Sequence, residues 1–174
     1  MTFSGHLSYD TSSNLMAARN WNKVKDLPYS YGTKCYLSCH IELDKALEYL
    51  VARLEAAGIA DDTVIVLATD HYPYGLEKSS TWGNTEDYLS ELYGQKVTDC
   101  FIREHNALIM WSGCLEGKNI VVEDPVFSLD ILPTLSNLFG LEYDSRLMVG
   151  RDVLGDQEAI VFWPDRSWRT EKGT

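Results

Sequence analysis

The segment Thr63–Leu76, which reads TVIVLATDHYPYGL, constrains the fold more than any other part of the chain. Its first half is a continuous run of β-branched and apolar residues. Such a run is typical of a strand buried on both faces, as in a parallel sheet with helices on either side. A helix is predicted before it, ending at Gly58, because four leucines recur on one helical face: Leu43, Leu47, Leu50 and Leu54.

The rest of the chain alternates between helix-like and strand-like segments. Residues 1–34 are polar and irregular, and TEDYLSELYG predicts a short helix. The segments HNALIMWS, NIVVED and EAIVFWPD predict strands, with SWRT pairing beside the last. SLDILPTLSNLFG predicts a helix with Asp130 as its N-cap, Pro133 in its first turn and Gly140 at its end. This order of elements indicates a layered α/β fold.

Charge and composition exclude several classes of partner. The net charge is −11, from 15 basic and 26 acidic residues, which argues against binding to nucleic acid or to an anionic membrane surface. No apolar run approaches the roughly 18 residues of a spanning helix, and MTFSGHLSYD lacks the features of a signal peptide. We therefore expect a soluble chain that carries no targeting signal.

The four cysteines do not have the spacing of a zinc ribbon. Cys35 and Cys39 form one C-x3-C pair, and no second close pair follows them. Free buried thiols are the expectation for this pattern.

Asp70 and His71 stand directly after the predicted strand and are the strongest candidates for a metal site. In open α/β sheets, ligands bind beyond the carboxyl ends of the strands. A carboxylate and an imidazole suit zinc, manganese or iron, and Pro73 and Gly75 favour a tight turn that holds the pair. The alternative is an Asp-His dipeptide in a surface loop, with the aspartate capping a turn.

The other histidines and the tryptophans carry weaker signals. His6 lies in a probable loop and reads, on its own, as a solvated side chain. His40 is expected at the start of the first helix in a structural role, and His105 is expected to be exposed. Trp82, like the other tryptophans, is typical of a core or its rim. The chain contains no phosphate-binding glycine loop and no G-x-S-x-G motif.

Several of these segments, taken in order, resemble a known family. TVIVLATDHYPYGL, SLDILPTLSNLFGL, GRDVL and VFWPDRSWRTEKG resemble the C-terminal half of a lipoteichoic acid synthase-like enzyme, from the sulfatase branch of the alkaline phosphatase superfamily. CHIELDKALEYLVARLEAAGI resembles the helix before the metal-binding strand of that family. The resemblance implies a layered α/β/α fold with a central, mostly parallel sheet. It also implies that residues 1–174 form only the C-terminal portion of the catalytic domain.

The resemblance also implies roles for particular residues. Asp70 and His71 match two ligands of a catalytic divalent cation, which could be manganese, magnesium, zinc or calcium. His6 matches a histidine that contacts the substrate phosphate or the glycerol leaving group. The family's nucleophile is a threonine upstream of the matched region, so no catalytic residue is assigned within this chain. Tyr72-Pro73-Tyr74 departs from the glycine that often follows the Asp-His pair and leaves the substrate open.

The implied function is that of an enzyme fragment. We expect a piece of a metal-dependent hydrolase or transferase that acts on phosphate esters, such as phosphoglycerol groups of glycerophospholipids, or on sulfate esters. The piece alone is expected to be inactive. Membrane anchoring would come only through segments absent from this chain, which would place the parent protein at the outer face of the bacterial cytoplasmic membrane, in cell-wall synthesis. The alternatives are a sulfatase and a non-catalytic domain that retains the fold.

Overall fold

A computed structural model describes residues 2–78 and 87–174 of this chain. The chain divides into two compact units, Met1–Glu116 and Gly117–Thr174.

The first unit contains two helices that pack against each other. Helix α1 spans Leu15–Val24 and helix α2 spans Tyr31–Ala56. The sequence-based prediction of an irregular region up to residue 34 is therefore wrong, and His40 lies inside α2 instead of at its start. The fully buried residues at the contact of α1 with α2 are small, namely Ala17, Cys35 and Cys39. The larger Met16 and Trp21 pack against them and are only partly buried.

The leucine-lined part of α2 was placed correctly. The helix ends at Ala56, and Gly58 follows in the left-handed region with φ of +70°, as predicted for a helix C-terminus. The leucine face is only partly covered, however, and Leu50 remains 43% exposed.

The segment TVIVLAT forms strand β1, Ile65–Ala68, as predicted. It pairs with β2, Leu108–Trp111, in antiparallel register, with Ala68 opposite Leu108. Helices α3 (Tyr88–Tyr93) and α4 (Cys100–Arg103) lie in the connection between the two strands. The first residues of the predicted TEDYLSELYG helix, and Trp82, lie outside the described part of the chain.

The predicted central, mostly parallel sheet is not found in residues 2–78 and 87–174, where two two-stranded antiparallel sheets occur. Strand β1 is half-buried to exposed along its length, so it is not covered on both faces as expected. An apolar run predicts that a strand forms but does not encode its direction. The direction follows from the connection, which here returns to the end of the sheet that β1 leaves. The broader prediction of a mixed α/β structure is confirmed.

The second unit is organised around helix α5, Ile131–Leu138. A 3₁₀ turn, Ser128–Asp130, leads into the helix, Pro133 lies in its first turn and Gly140 follows with φ of +63°. Asp130 occupies the predicted N-cap position, but its side chain makes no capping hydrogen bond to the helix. Strands β3 (Ile160–Phe162) and β4 (Trp168–Thr170) form an antiparallel pair, as expected. NIVVED forms no strand, which corrects that prediction.

All four cysteines are free thiols. Cys35 and Cys39 are buried free thiols, as expected, whereas Cys100 is half-buried and Cys114 is exposed. Burial raises the pKa of Cys39 to about 11, so this thiol stays protonated at neutral pH. No helix within residues 2–78 and 87–174 combines the length and apolar character needed to cross a bilayer.

Candidate metal and substrate site

The chain bends immediately after β1, and this bend brings Asp70 and His71 together. On a continuing strand the two side chains would point to opposite faces. Here the backbone bends at both residues, and Oδ1 of Asp70 lies 3.7 Å from Nε2 of His71. Both side chains are more than half exposed, so the pair faces solvent. The two groups therefore converge on one accessible point.

The imidazole of His71 is held in one orientation. Its Nδ1 lies 2.7 Å from the carbonyl oxygen of Tyr72, and its ring lies 4.7 Å from that of Tyr74. Because a carbonyl only accepts, Nδ1 carries the proton. In the neutral ring the lone pair is then on Nε2, the ring nitrogen that lies 3.7 Å from Oδ1 of Asp70. Metal-binding histidines are oriented by such a hydrogen bond from the second ring nitrogen.

The spacing of the two groups fits a shared divalent cation. Two ligands about 2.1 Å from one ion lie roughly 3.0–3.4 Å apart at octahedral or tetrahedral angles. The observed 3.7 Å is within a small side-chain rotation of that range. In the described part of the chain, no third histidine, cysteine, aspartate or glutamate joins the pair. The alternative reading is a solvent-exposed ion pair, which forms only when His71 is protonated.

The turn after His71 is fixed by packing. Residues Tyr74–Leu76 form a 3₁₀ turn in which Leu76 is fully buried. The hydroxyl of Tyr72 donates to Glu77, and the guanidinium of Arg103 lies 5.1 Å from the centre of the Tyr72 ring. The Tyr-Pro-Tyr segment that departs from the family pattern therefore supports the turn that carries His71.

The loop that carries His6 is anchored by its neighbours. The amide of Asn14 donates to the carbonyls of His6 and Ser8, at 3.1 and 2.9 Å, while its oxygen caps α1. The hydroxyl of Tyr9 donates to Gly5 at 3.0 Å. Sequence reasoning missed Asn14, although an asparagine before an amphipathic segment is a typical N-cap.

This loop also contacts the turn that follows His71. A Cβ built on Gly75 would lie 1.9 Å from Cδ2 of Leu7, so the leucine side chain packs directly on the glycine. A cavity of about 270 Å³ lies beside this contact, with Tyr9 and the N-terminal end of α2 in its wall. The loop of His6 and the turn of Asp70-His71 thus share one packing contact.

The side chain of His6 itself does not contact the pair. Its ring stacks on Phe3 at 5.0 Å, and its Nδ1 donates to the carbonyl of Leu7. Within the described residues it makes no hydrogen bond, ion pair or ring contact with Asp70 or His71. The structure therefore connects the two segments through Leu7 and leaves the imidazole of His6 exposed.

The remaining histidines have no role in this arrangement. His105 is exposed. His40 is half-buried beneath Gly5, with its ring carbon 3.0 Å from the position that a Cβ of Gly5 would take. Burial lowers its pKa below the usual histidine value, so its ring is neutral at physiological pH.

The model of one protein family matches this chain. Its residues 8–141 match the family model described as sulfatase, and this range is most of the sequence. The chain belongs to the sulfatase family. The matched range includes Asp70 and His71 and begins two residues after His6. This membership confirms the family resemblance and implies an alkaline phosphatase-like α/β fold.

Curated relatives of this sulfatase-family chain include lipoteichoic acid synthases. The chain is 28% identical over 119 residues to the lipoteichoic acid synthase of Staphylococcus saprophyticus, covering 68% of this chain and 17% of that protein. It is 26% identical over 129 residues to that of Staphylococcus aureus, covering 73% of this chain and 19% of that protein. The chain thus spans less than a fifth of these relatives. No solved structure matches it.

Proposed function

We propose that this sulfatase-family chain contributes the Asp-His half of a divalent-cation site to an enzyme that cleaves or transfers phosphate or sulfate esters. The convergence of Asp70 and His71 at the end of β1, with 3.7 Å between Oδ1 and Nε2, carries the proposal. The bound cation would polarise the ester oxygens and activate the attacking hydroxyl. Manganese, magnesium, zinc and calcium are all compatible with an oxygen and a nitrogen ligand.

The residues of this chain would have separate tasks at such a site. Asp70 would supply an anionic oxygen as a ligand. His71 would supply Nε2, because its Nδ1–H donates to the carbonyl of Tyr72. His6 would contact the phosphate or the leaving group. Its loop is held near the Asp-His turn by the packing of Leu7 on Gly75. An exposed imidazole in a loop anchored by Asn14 could reach a substrate that bridges the two segments.

We favour phosphoglycerol esters over sulfate esters as the substrate class. The support is the similarity to lipoteichoic acid synthases of two staphylococcal species. On this proposal the 174 residues form part of one catalytic domain within a longer protein at the outer face of the cytoplasmic membrane. The cation and nucleophile would be completed by residues outside this chain. A sulfatase remains the alternative enzyme. A non-catalytic domain that retains the fold remains the alternative from another class.

The first prediction concerns the cation. Manganese added to the 174-residue chain should broaden the NMR signals of residues 69–72 selectively, because a paramagnetic ion at the pair relaxes the nearest nuclei most strongly. Asp70→Ala and His71→Ala should each weaken this effect roughly tenfold or more, since each removes one of two ligands. The exposed residues Asp44 and His105 provide matched controls, and their alanine variants should respond like the wild type.

Broadening that is spread over the acidic surface, and that Asp70→Ala leaves unchanged, would contradict the assignment. With two ligands the affinity should be weak, because catalytic sites of this kind normally use three protein ligands. The assignment is therefore judged by which residues are broadened, and not by the manganese concentration that gives half of the effect.

The second prediction concerns activity. The purified chain should show no repeated turnover of bis-p-nitrophenyl phosphate or p-nitrophenyl sulfate with added manganese, magnesium or zinc, because we assign it no nucleophile. Joining the chain to the upstream part of its parent protein should restore metal-dependent turnover of one of the two esters. Turnover by the chain alone that is lost in Asp70→Ala would refute the absence of a nucleophile. A joined protein that binds the cation but turns over neither ester would favour the non-catalytic alternative.

A further inference from the structure

The second unit contains a pocket of about 360 Å³ beside the start of α5. Its wall combines apolar side chains, such as Phe127 and Ile160, with Tyr143, Gln157 and Arg151. Arg151 is 7% exposed, which is unusual for an arginine without an ion-pair partner. This residue is the reason to consider the pocket as a binding site.

The guanidinium of Arg151 is satisfied at only one end. Its Nη1 donates to the carbonyl of Gln157 at 3.2 Å. Its Nε and Nη2 are both buried, and neither has a hydrogen-bond partner among residues 2–78 and 87–174. Within residues 2–78 and 87–174, no carboxylate forms an ion pair with it. Leaving charged donors buried and unpaired is costly, so this edge of the guanidinium calls for an acceptor.

The unpaired atoms define the shape of that acceptor. Nε and Nη2 present two parallel N–H bonds along one edge of the guanidinium, the geometry that matches the two oxygens of a carboxylate or phosphate group. The same unit shows this edge in use elsewhere. Nε and Nη2 of Arg146 bind the two carboxylate oxygens of Asp144 at 2.8 and 2.6 Å. The corresponding edge of Arg151 has no such partner in the part of the chain that the structure describes.

The acidic residues in the pocket wall already have donors. Asp130 accepts from the backbone of Phe127 and of Arg151, Asp152 accepts from Leu154 and Asn137, and Glu158 pairs with Lys172. Among the described residues, none of these carboxylates forms an ion pair with the guanidinium of Arg151. Their charges still repel an incoming anion, and the repulsion grows with its charge. A monoanion is therefore favoured over a dianion.

The backbone at Arg151 is fixed before any ligand binds. Its N–H donates to Oδ1 of Asp130 at 2.8 Å. A Cβ on the preceding Gly150 would lie 1.9 Å from the carbonyl oxygen of Leu129, so the chain passes tightly over the turn before α5. The backbone that carries the Arg151 side chain is thus held in place, and the guanidinium itself is held by the hydrogen bond from Nη1 to Gln157.

We propose that the Nε and Nη2 edge of Arg151 binds one monoanionic group with two equivalent oxygens, of the carboxylate or phosphodiester class, in a bidentate manner. Because both nitrogens are covered by protein atoms, binding requires a side chain of the pocket wall to move aside. The site lies wholly within Gly117–Thr174.

The proposal is tested by following the Nε–Hε NMR signal of Arg151 in the wild-type chain. Sodium acetate and sodium dimethyl phosphate are titrated separately against sodium chloride at constant ionic strength. We expect a saturable shift of the Arg151 signal with at least one of the two oxyanions. Arg146, whose edge is already filled, should not respond. Saturation by acetate identifies the carboxylate as the ligand, and saturation by dimethyl phosphate identifies the phosphodiester.

Two variants separate bidentate binding from simple charge attraction. Arg151→Lys keeps the charge but loses the paired donors, so thermal stabilisation by the active oxyanion should require at least a tenfold higher concentration. Arg146→Gln, on the exposed surface, should behave like the wild type. The proposal is overturned if neither oxyanion moves the Arg151 signal, or if chloride moves it equally. Because the wild-type titration decides this, the result does not depend on whether Arg151→Lys folds.

Discussion

Replacing Asp130 by alanine is expected to lower the free energy of unfolding of the second unit by about 2–5 kcal/mol. The carboxylate is 1% exposed and accepts hydrogen bonds from the backbone of Phe127 at 3.1 Å and of Arg151 at 2.8 Å. Alanine would leave the buried N–H of Arg151 and the part-buried N–H of Phe127 without an acceptor, at about 1–3 kcal/mol for each N–H. The loss should appear as faster amide hydrogen exchange at Phe127 and Arg151 and as a lower denaturant midpoint.

Two further variants isolate the cause of that loss. Asp130→Asn retains one carbonyl oxygen, so it should preserve one of the two hydrogen bonds and show a smaller effect. Asp156→Ala removes an exposed carboxylate from the same unit and should change stability by less than about 0.5 kcal/mol. An Asp130→Ala variant as stable as Asp156→Ala would mean that these hydrogen bonds do not hold the unit together.

The surroundings of Asp130 show which features of the second unit could be predicted from the sequence. The helix, its first-turn proline and its terminal glycine follow from local rules, because each depends on neighbouring residues. The role of the Asp130 carboxylate does not follow from local rules. Its acceptor role for Arg151 depends on a contact between residues 21 positions apart, which local rules do not describe. Cap chemistry predicted the helix correctly and the function of its aspartate incorrectly.

The same distinction applies to the first unit. The end of α2 and the strand after it could be predicted from leucine spacing and β-branched residues. Helix α1 was missed because the buried residues at its contact with α2, such as Ala17 and Cys39, are small, although Asn14 supplied a typical N-cap signal. Strand direction was also beyond reach, since it is set by the chain between β1 and β2. At the candidate site, strand-end logic found Asp70 and His71, but nothing local indicated that Leu7 would pack on Gly75.

Gly75 has no room for a side chain beneath Leu7. Gly75→Ala is expected to destabilise the first unit by about 1–3 kcal/mol, because the new methyl group would lie 1.9 Å from Cδ2 of Leu7 and 3.1 Å from the ring of Tyr9. Leu7 must then leave its position or the turn must shift. Chemical denaturation and the hydrogen exchange of the Leu76 amide, which donates to Pro73, measure the loss.

A double-mutant cycle shows whether the clash with Leu7 is responsible. Leu7→Ala alone should also destabilise, because it leaves a gap over Gly75. The double variant Leu7→Ala/Gly75→Ala should be more stable than the sum of the two changes predicts, by about 0.5–3 kcal/mol, since each change makes room for the other. Gly155→Ala, whose nearest neighbour would lie at 3.5 Å, is the matched glycine control and should have little effect.

The cycle also bears on the site. If the Leu7–Gly75 contact holds the His6 loop against the turn that carries Asp70 and His71, Gly75→Ala should raise the exchange rate of amides in residues 5–9 along with those of the turn. In the double variant, the exchange rates of residues 5–9 and of the turn should both fall back towards their wild-type values. Additive stability changes, with exchange affected in the turn alone, would show that the two segments are energetically separate. His6 would then have no structural support as a partner of the Asp-His pair.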